Sequence, residues 1–135
     1  MIIGLGTDIV NVGRVERTCS RYARRFMERL LTKQEQKDIS ALAEAVRPYK
    51  MAKLFAAKEA AAKALGTGFS KGIAWSDIEI SHDSKGRPLL VLYNKALDQA
   101  RKLAGGDNFA LWLSLSDDYP MAQAVVVIEK TDCLK

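Results

Sequence analysis

The middle of the chain contains the sequence Phe55-Ala-Ala-Lys-Glu-Ala-Ala-Ala-Lys-Ala-Leu-Gly-Thr-Gly68. It predicts a helix that ends at Gly66, because glycine commonly follows the last residue of a helix. Glu59 and Lys63 are four residues apart and therefore share one face, among alanines that let a ligand approach closely. A carboxylate holds a hard cation and an ammonium neutralises phosphate oxygens, so this face suits a metal-bound phosphate. An ordinary exposed ion pair on a stable helix is the alternative interpretation.

Strand and helix patterns extend outward from this helix in the order β-α-α-α-β-β-α-β-β. Asn11 suits a helix cap, Thr32 and Glu35 form a capping-box pattern, and Pro48 suits a first helical turn. The predicted strands cover residues 2–10, 73–81, 89–93, 109–116 and 121–129, and the predicted helices cover residues 12–29, 32–45, 48–65 and 94–105. Short turns between paired strands indicate a mostly antiparallel sheet with helices packed on it, an α+β domain that spans residues 1–135.

Composition limits the classes of protein to which the chain can belong. Its 135 residues suit one domain, and its formal charge of +5 with a pI of about 9.3 favours nucleic acid, an anionic cofactor or an acidic protein as partner. No apolar run is long enough to span a membrane, and the N-terminus has the pattern of a strand rather than of a signal peptide. Cys19 and Cys133 have no metal-binding spacing and predict reduced thiols in the cytoplasm. The single histidine, His82, excludes a multi-histidine metal site.

Three stretches of the sequence together resemble a known enzyme family. They are Gly6-Thr-Asp-Ile-Val10, the stretch Phe55–Gly68, and Ser114-Leu-Ser-Asp-Asp-Tyr-Pro-Met-Ala-Gln-Ala-Val-Val-Val127. Over essentially its whole length the chain is similar to the holo-acyl-carrier-protein synthases, the small phosphopantetheinyl transferases of bacterial fatty-acid synthesis. The combination of Asp8 with the Lys-Glu-Ala-x-x-Lys-Ala-Leu-Gly-Thr-Gly pattern is highly specific for that family.

The resemblance implies a reaction, a cofactor and an assembly. Enzymes of this family use Mg²⁺ to transfer the 4′-phosphopantetheine group of coenzyme A to a serine of apo acyl carrier protein, which leaves adenosine 3′,5′-bisphosphate. They share the 4′-phosphopantetheinyl transferase fold, and members of this length form trimers with active sites at subunit interfaces. The implied partners are therefore acyl carrier protein, coenzyme A and further copies of the chain, with no nucleic acid and no membrane.

The resemblance also implies a role for each residue that matches the motifs. Asp8 and Glu59 would bind the metal, and Lys63 would contact the phosphates and assist proton transfer from the serine. Lys58 would also face phosphate, and the Gly66–Gly68 turn would lie beside the nucleotide. These residue types suit the chemistry, because Mg²⁺ is held by one or two carboxylates together with phosphates and water. Whether water or a nearby carboxylate accepts the serine proton stays open.

The chain departs from the family pattern at two positions near the expected nucleotide end. Leu54 stands where many members have arginine, although the adjacent Lys53 offers a positive charge from a shifted position. Asp117 stands where many members have histidine, and an aspartate cannot donate a hydrogen bond to phosphate. The 3′-phosphate then needs other donors, such as Ser114, Ser116 or a lysine.

Arginines recur at three- and four-residue spacing along the first predicted helix. They are Arg14, Arg17, Arg21, Arg24, Arg25 and Arg29. One interpretation is a solvated helix face, and the other is a docking surface for the acidic carrier protein. Arg14 and Arg21 are the leading candidates for docking, and Phe26 and Met27 are candidate apolar anchors beside them.

Two rival functions stay open at this point. A basic nucleic-acid-binding module would place the arginines on phosphates, but it leaves the carboxylates near the centre of the chain unexplained. A transferase that serves the carrier domains of polyketide or peptide synthases is the second rival. The short length of the chain resembles the dedicated fatty-acid form.

Overall fold

The structure is a computed structural model that describes residues 1–132, without the side chains of Tyr22 and Ala23. The expectation for Cys133 lies outside the described residues. The elements are β1 (Ile2–Asn11), α1 (Val12–Leu30), α2 (Lys33–Ser40), α3 (Arg47–Ala64), β2 (Ile78–His82), β3 (Pro88–Leu92), α4 (Asn94–Ala104), β4 (Phe109–Asp118) and β5 (Met121–Lys130). Their order is the predicted one, and the α+β class is confirmed. In the described part of the chain, every helix is too short or too polar to cross a bilayer.

Strand pairing in the described chain is antiparallel and is divided between two sheets. β1, β5 and β4 form a three-stranded sheet in that order, and β2 pairs with β3 in a separate two-stranded sheet. In the larger sheet, Asp8 of β1 lies opposite Ala124 of β5, which lies opposite Leu115 of β4. Every second residue of β5 is buried, namely Ala122, Ala124, Val126 and Ile128. One face of the larger sheet is therefore covered, and the predicted mostly antiparallel pairing is confirmed.

Helix α3 is the central helix and is covered over most of its surface. Seven of its buried residues are alanines: Ala52, Ala56, Ala57, Ala60, Ala61, Ala62 and Ala64. A Cβ atom at Gly6 of β1 would lie 1.9 Å from the carbonyl oxygen of Ala60, and one at Gly4 would lie 2.3 Å from that of Ala64. Both distances are far shorter than van der Waals contact, so only glycine permits this approach. The glycines thereby set the short distance between α3 and the strand that carries Asp8.

The predicted caps at the starts of α1 and α2 are confirmed. The Asn11 side chain accepts a hydrogen bond from the backbone amide of Arg14 at 3.2 Å. Thr32 and Glu35 exchange reciprocal hydrogen bonds in a capping box. Because Asn11 also ends β1, α1 begins directly at the end of the strand that carries Asp8.

Two predicted elements are shorter in the structure. The helix predicted over residues 32–45 ends at Ser40, and a short 3₁₀ turn follows it. The strand predicted over residues 73–81 begins only with β2. The reason is that the Asp77 carboxylate accepts a hydrogen bond from the Ala74 amide at 2.9 Å and closes a 3₁₀ turn before the strand.

Candidate active site

A cleft of about 520 Å³ opens where β1, α1 and α3 meet. The end of β1 and the first turns of α1 form one wall, and one side of α3 forms the other. The lining residues are Asp8, Ile9, Val10, Asn11, Arg14, Val15, Thr18, Phe26, Phe55, Glu59, Lys63 and Met121. The fold therefore brings together Asp8, Glu59 and Lys63, three of the four residues that are expected to contact metal or phosphate.

The contact between Asp8 and Lys63 is the polar centre of this cleft. Lys63 Nζ lies 3.1 Å from Asp8 Oδ1 and donates a second hydrogen bond to the carbonyl oxygen of Thr7 at 2.9 Å. The Lys63 side chain is 53% exposed and that of Asp8 only 17%, so the ammonium reaches solvent while the carboxylate is enclosed. An ion pair of this exposure contributes at most about 1 kcal/mol to folding. The pair therefore matters less for stability than for holding a carboxylate and an ammonium side by side in the cleft.

Glu59 lies on α3 one turn before Lys63 and is half-buried. Burial raises the pKa of its carboxyl group above the ordinary value, the negative charge of Asp8 raises it further, and the Lys63 ammonium opposes both effects. The carboxylates of Asp8 and Glu59 are therefore close enough to repel one another. A cation held between them would relieve that repulsion.

The chemistry of this donor set suits magnesium. Asp8 and Glu59 offer only carboxylate oxygens, which are the ligands of a hard cation. Among residues 1–132, no group of three or more histidine, cysteine, aspartate or glutamate side chains is placed to hold a metal ion. Mg²⁺ commonly takes one or two carboxylates and completes its shell with water and substrate phosphates, so two carboxylates at an open cleft fit it.

The prediction that Lys58 faces phosphate is wrong. Its side chain is completely buried, and its Nζ lies 2.8 Å from Oε1 of Glu35, which is buried as well. The same ammonium donates hydrogen bonds to the carbonyl oxygens of Trp75, at 3.1 Å, and Ile78. Burial lowers the pKa of Lys58, and the Glu35 carboxylate opposes this effect. With its donors engaged in the core, Lys58 is directed away from the cleft that its neighbour Glu59 lines.

The Gly66–Gly68 turn ends α3 as predicted. Gly66 and Gly68 have φ values of +80° and +58°, in the left-handed region that favours glycine. The Gly68 amide donates to the carbonyl oxygen of Ala62 at 3.1 Å, which satisfies one of the last carbonyls of the helix. Within the described chain, neither glycine is among the residues that line the cleft. Their contact with a nucleotide stays a prediction.

The candidate docking residues of α1 divide between two sides of the helix. Arg14 and Phe26 line the cleft beside Asp8 and Glu59. Arg21 is exposed and lies seven residues further along the helix than Arg14. Met27 lines a separate groove that α1 forms with the start of α3, so it does not adjoin the cleft.

Sequence reasoning missed an aromatic stack that forms part of the cleft wall. Phe26 stacks with Phe55 at a centroid distance of 6.4 Å, and Phe55 stacks with Trp75 at 5.3 Å. Trp75 in turn stacks with Phe69 at 3.7 Å. Each such pair contributes about 0.5–1.5 kcal/mol beyond its buried area. The rings come from α1, from α3 and from the segment between α3 and β2, so no regular spacing along the chain indicates the stack.

A second cleft, of about 440 Å³, lies beside the opposite end of α3 and is basic. It is lined by Lys50, Lys53, His82, Gly86, Arg87, Pro88, Leu113, Ser114 and Leu115. Lys53 pairs with Asp117 at 3.1 Å. Burial lowers the pKa of Lys50, and the positive charge of Lys53 lowers it further. Burial also lowers the pKa of His82, and the positive charge of Lys50 adds to that effect. Burial is the larger cause of both shifts, and the smaller contributions of Lys53 and Lys50 are repulsions between positive groups that a bound anion would relieve.

Comparison with known proteins gives similarity along nearly the whole chain. The family model described as the 4′-phosphopantetheinyl transferase superfamily matches residues 4–124. A holo-[acyl-carrier-protein] synthase from Brucella ovis is 41% identical over 136 aligned positions that cover 100% of both chains. The crystal structure of a holo-[acyl-carrier-protein] synthase from Neisseria meningitidis has a TM-score of 0.83 and 37% identity, covering 96% of this chain and 100% of that one. One from Bacillus anthracis, in complex with CoA (3′,5′-ADP), has a TM-score of 0.79 and 34% identity, covering 97% and 99%.

Proposed function

This chain belongs to the 4′-phosphopantetheinyl transferase superfamily, and we propose that it transfers the 4′-phosphopantetheine group of coenzyme A to a serine of apo acyl carrier protein. The products are holo acyl carrier protein and adenosine 3′,5′-bisphosphate. Its fold is that of solved synthases, one of them in complex with coenzyme A, as the sequence predicts. The observation that carries the proposal is the meeting of Asp8, Glu59 and Lys63 in one cleft of that fold.

Asp8 and Glu59 are the proposed ligands of Mg²⁺. When bound, the ion would supply positive charge that stabilises the leaving phosphate. Lys63 is half-exposed, so its ammonium can turn from Asp8 to a phosphate oxygen and neutralise negative charge there. The nucleophile is the serine of the carrier protein, so the residues of this chain position the reactants and form no covalent intermediate. Water or a carboxylate of the cleft accepts the serine proton.

The basic cleft is the proposed site of the 3′-phosphate. Lys50, Lys53 and Arg87 supply positive charge there, and Ser114 supplies a hydroxyl. These groups would replace the arginine and histidine that many family members have where this chain has Leu54 and Asp117. The Lys53–Asp117 ion pair supports this view, because it brings a lysine to the position of the missing histidine.

The separation of the two clefts supports an active site shared between subunits. Lys53 of the basic cleft and Glu59 of the first cleft (here the metal cleft) are six residues apart on α3, which places their side chains about 120° apart around the helix. The pyrophosphate and the 3′-phosphate of coenzyme A are both carried by one ribose, so one molecule would have to pass around α3 to reach both clefts of a single subunit. The metal cleft of one subunit would then act with the basic cleft of a neighbour.

The uncovered face of the larger sheet is the proposed trimer interface. Leu5, Val127 and Trp112 lie opposite one another across β1, β5 and β4 and therefore share this face. Leu5 is 66% exposed, Ile9 60% and Trp112 44%. Large apolar side chains exposed in a row on a sheet are typical of a protein interface. Copies of this chain are the proposed occupants, which agrees with the homotrimer implied by the family resemblance.

The arginine face of α1 is the proposed docking surface for the carrier protein. It begins at Arg14, at the edge of the metal cleft, and continues to the exposed Arg21. An acidic helix laid along this face would bring a carrier serine to Asp8 and Glu59, and its charge would raise the association rate. The proposal places the protein in bacterial fatty-acid synthesis in the cytoplasm, as one transferase domain over residues 1–135.

Intact-mass spectrometry tests the proposed function. Apo acyl carrier protein is mixed with this protein, coenzyme A and Mg²⁺. A gain of one phosphopantetheine that is abolished by EDTA would support both the reaction and the metal. Absence of the gain with several carrier proteins, including carrier domains of polyketide and peptide synthases, would contradict the proposal. Tight, salt-dependent duplex binding would then favour the nucleic-acid rival.

A further inference from the structure

The fully buried ion pair between Lys58 and Glu35 takes no part in the proposed chemistry. Both side chains are 0% exposed, and Nζ lies 2.8 Å from Oε1. Replacing such a pair with apolar residues of similar volume is often neutral or stabilising, because both charges lose their hydration on burial. Stability alone is therefore a weak explanation for the pair.

The hydrogen bonds of the pair connect four segments of the chain. The Lys58 ammonium donates to the Glu35 carboxylate and to the carbonyl oxygens of Trp75 and Ile78. The Glu35 carboxylate also accepts from the backbone amide of Thr32 at 2.9 Å and from that of Ile80 at 2.9 Å. Helix α3 is thus joined to the start of α2, to the 3₁₀ turn before β2, and to β2 itself.

The buried surface of α3 has few polar groups that could make such a directional contact. Its buried faces are mostly alanine, and small methyl groups offer few features that oppose rotation of a helix about its axis. Ala60 fixes how closely α3 approaches β1, through its carbonyl oxygen over Gly6. Lys58 lies two residues earlier, on a different side of the helix, so the two contacts restrain the rotation of α3 from two sides, in addition to the Phe55 stack and the Lys63–Asp8 ion pair.

Glu59 lies between these two contacts in the sequence and takes its direction from them. A rotation of α3 by about 15° would move a side-chain carboxylate by roughly 1–2 Å, and a misplacement of about 1 Å in an active site costs on the order of 100-fold in rate. We propose that the Lys58–Glu35 ion pair is a positioning element that holds Glu59 toward Asp8. The proposal rests on the proposed function only in treating Asp8 and Glu59 as metal ligands.

The double variant Lys58→Met with Glu35→Gln tests this role. It removes both charges, keeps similar side-chain volumes, and leaves one acceptor oxygen for one of the two backbone amides that Glu35 satisfies. We expect it to fold, with kcat at least 10-fold lower and KM for coenzyme A nearly unchanged. Mn²⁺ affinity, measured by electron paramagnetic resonance, should fall at least 10-fold. A folded double variant with wild-type Mn²⁺ affinity and kcat would overturn the proposal.

A second variant and a metal-free measurement keep the test decisive. Glu35→Asp retains the charge but shortens the reach of the carboxylate, and it should also weaken Mn²⁺ binding if the double variant does not fold. Crystal structures of the metal-free proteins should show that α3 is rotated relative to β1 in each variant when compared with the wild type, with Glu59 farther from Asp8. This rotation is readable even if the proposed transferase activity fails, and its absence in both variants would overturn the positioning role.

Discussion

Lys63 donates to Asp8 across the cleft between α3 and β1, at 3.1 Å from Nζ to Oδ1. On the proposed assignment, a metal ion held by Asp8 would compete with this ammonium for the negative charge of the carboxylate. Lys63 is 53% exposed, so its side chain would be able to turn to a substrate phosphate. The ion pair would then link occupation of the metal site to the placement of the phosphate-binding charge.

Removal of either carboxylate should abolish turnover without unfolding the protein. We expect Asp8→Ala and Glu59→Ala each to lower kcat by at least about 100-fold. The reason is that the proposed Mg²⁺, which would stabilise the leaving phosphate, loses a ligand. Asp98→Ala is the matched control, since that carboxylate lies on α4 and pairs only weakly with Arg101 at 4.0 Å. Normal turnover by either site variant would remove the assignment.

Reversal of one charge on α1 should separate the two substrates. Arg14→Glu is expected to raise KM for the carrier protein about 10-fold or more and to leave KM for coenzyme A unchanged, with the largest effect at low salt. Lys102→Glu on the exposed side of α4 makes the same change in net charge and should have little effect. Equal increases in both KM values would mean that Arg14, which also lines the cleft of Asp8 and Glu59, acts on the phosphates instead.

The basic cleft predicts a pH response from the single histidine. Burial and the charge of Lys50 hold the pKa of His82 below its ordinary value, which favours the neutral imidazole in the free protein. An anion in the cleft favours the charged imidazolium, so bound adenosine 3′,5′-bisphosphate should raise this pKa. By linkage, the nucleotide should bind more tightly as the pH falls through the raised pKa. Proton NMR of the His82 imidazole measures its pKa and, by titration with the nucleotide at several pH values, the affinity. A His82 pKa that is unchanged at saturating nucleotide would contradict the assignment of the basic cleft to the 3′-phosphate.

The close contact of β1 with α3 should make Gly6 intolerant of any side chain. We expect Gly6→Ala to lower the free energy of unfolding by about 3 kcal/mol or more, because its Cβ would lie 1.9 Å from the Ala60 carbonyl oxygen. Gly66→Ala is the control: its φ is +80° but open space surrounds it, so only the conformational cost of about 1–2 kcal/mol applies. Urea unfolding measures the free energy of unfolding of both variants. Equal losses would show that the contact between Gly6 and the Ala60 carbonyl does not exclude a side chain.

A charge on the open sheet face should dissociate the proposed trimer. Leu5→Glu places a carboxylate in the row formed with Val127 and Trp112, so sedimentation at micromolar concentration should show monomers with little activity. Leu103→Glu on α4 alters an exposed leucine elsewhere and should leave the assembly unchanged. A wild-type protein that sediments as a monomer would contradict both the trimer and the shared active site.

Much of the fold could be predicted because its boundaries coincide with strong local signals. Asn11, Thr32 and Glu35 supply caps whose hydrogen bonds are present in the structure, and Gly66 ends α3 in a left-handed conformation. The boundary before β2 failed for the opposite reason. The 3₁₀ turn there depends on a hydrogen bond that the backbone amide of Ala74 donates to the Asp77 carboxylate. The spacing of apolar residues does not reveal such a bond.

The candidate site could be predicted only where the chemistry lies within a motif. Asp8, Glu59 and Lys63 were identified from the sequence and do meet in one cleft. Lys58 was misplaced because α3 is buried on nearly every side, so the sequence has no polar face that distinguishes solvent from core. The basic cleft and the aromatic stack combine residues from distant segments, and their existence depends on tertiary packing alone.

The contact of Gly6 with Ala60 also limits how this enzyme can diverge. On the proposed assignment, Asp8 and Glu59 are restricted only by the need for a metal ligand, so another metal-binding side chain is conceivable at either position. Every amino acid other than glycine carries a Cβ, so position 6 excludes all of them whatever their polarity. Around this site, heritable variation is therefore restricted as firmly by the separation of two backbones as by the reaction itself.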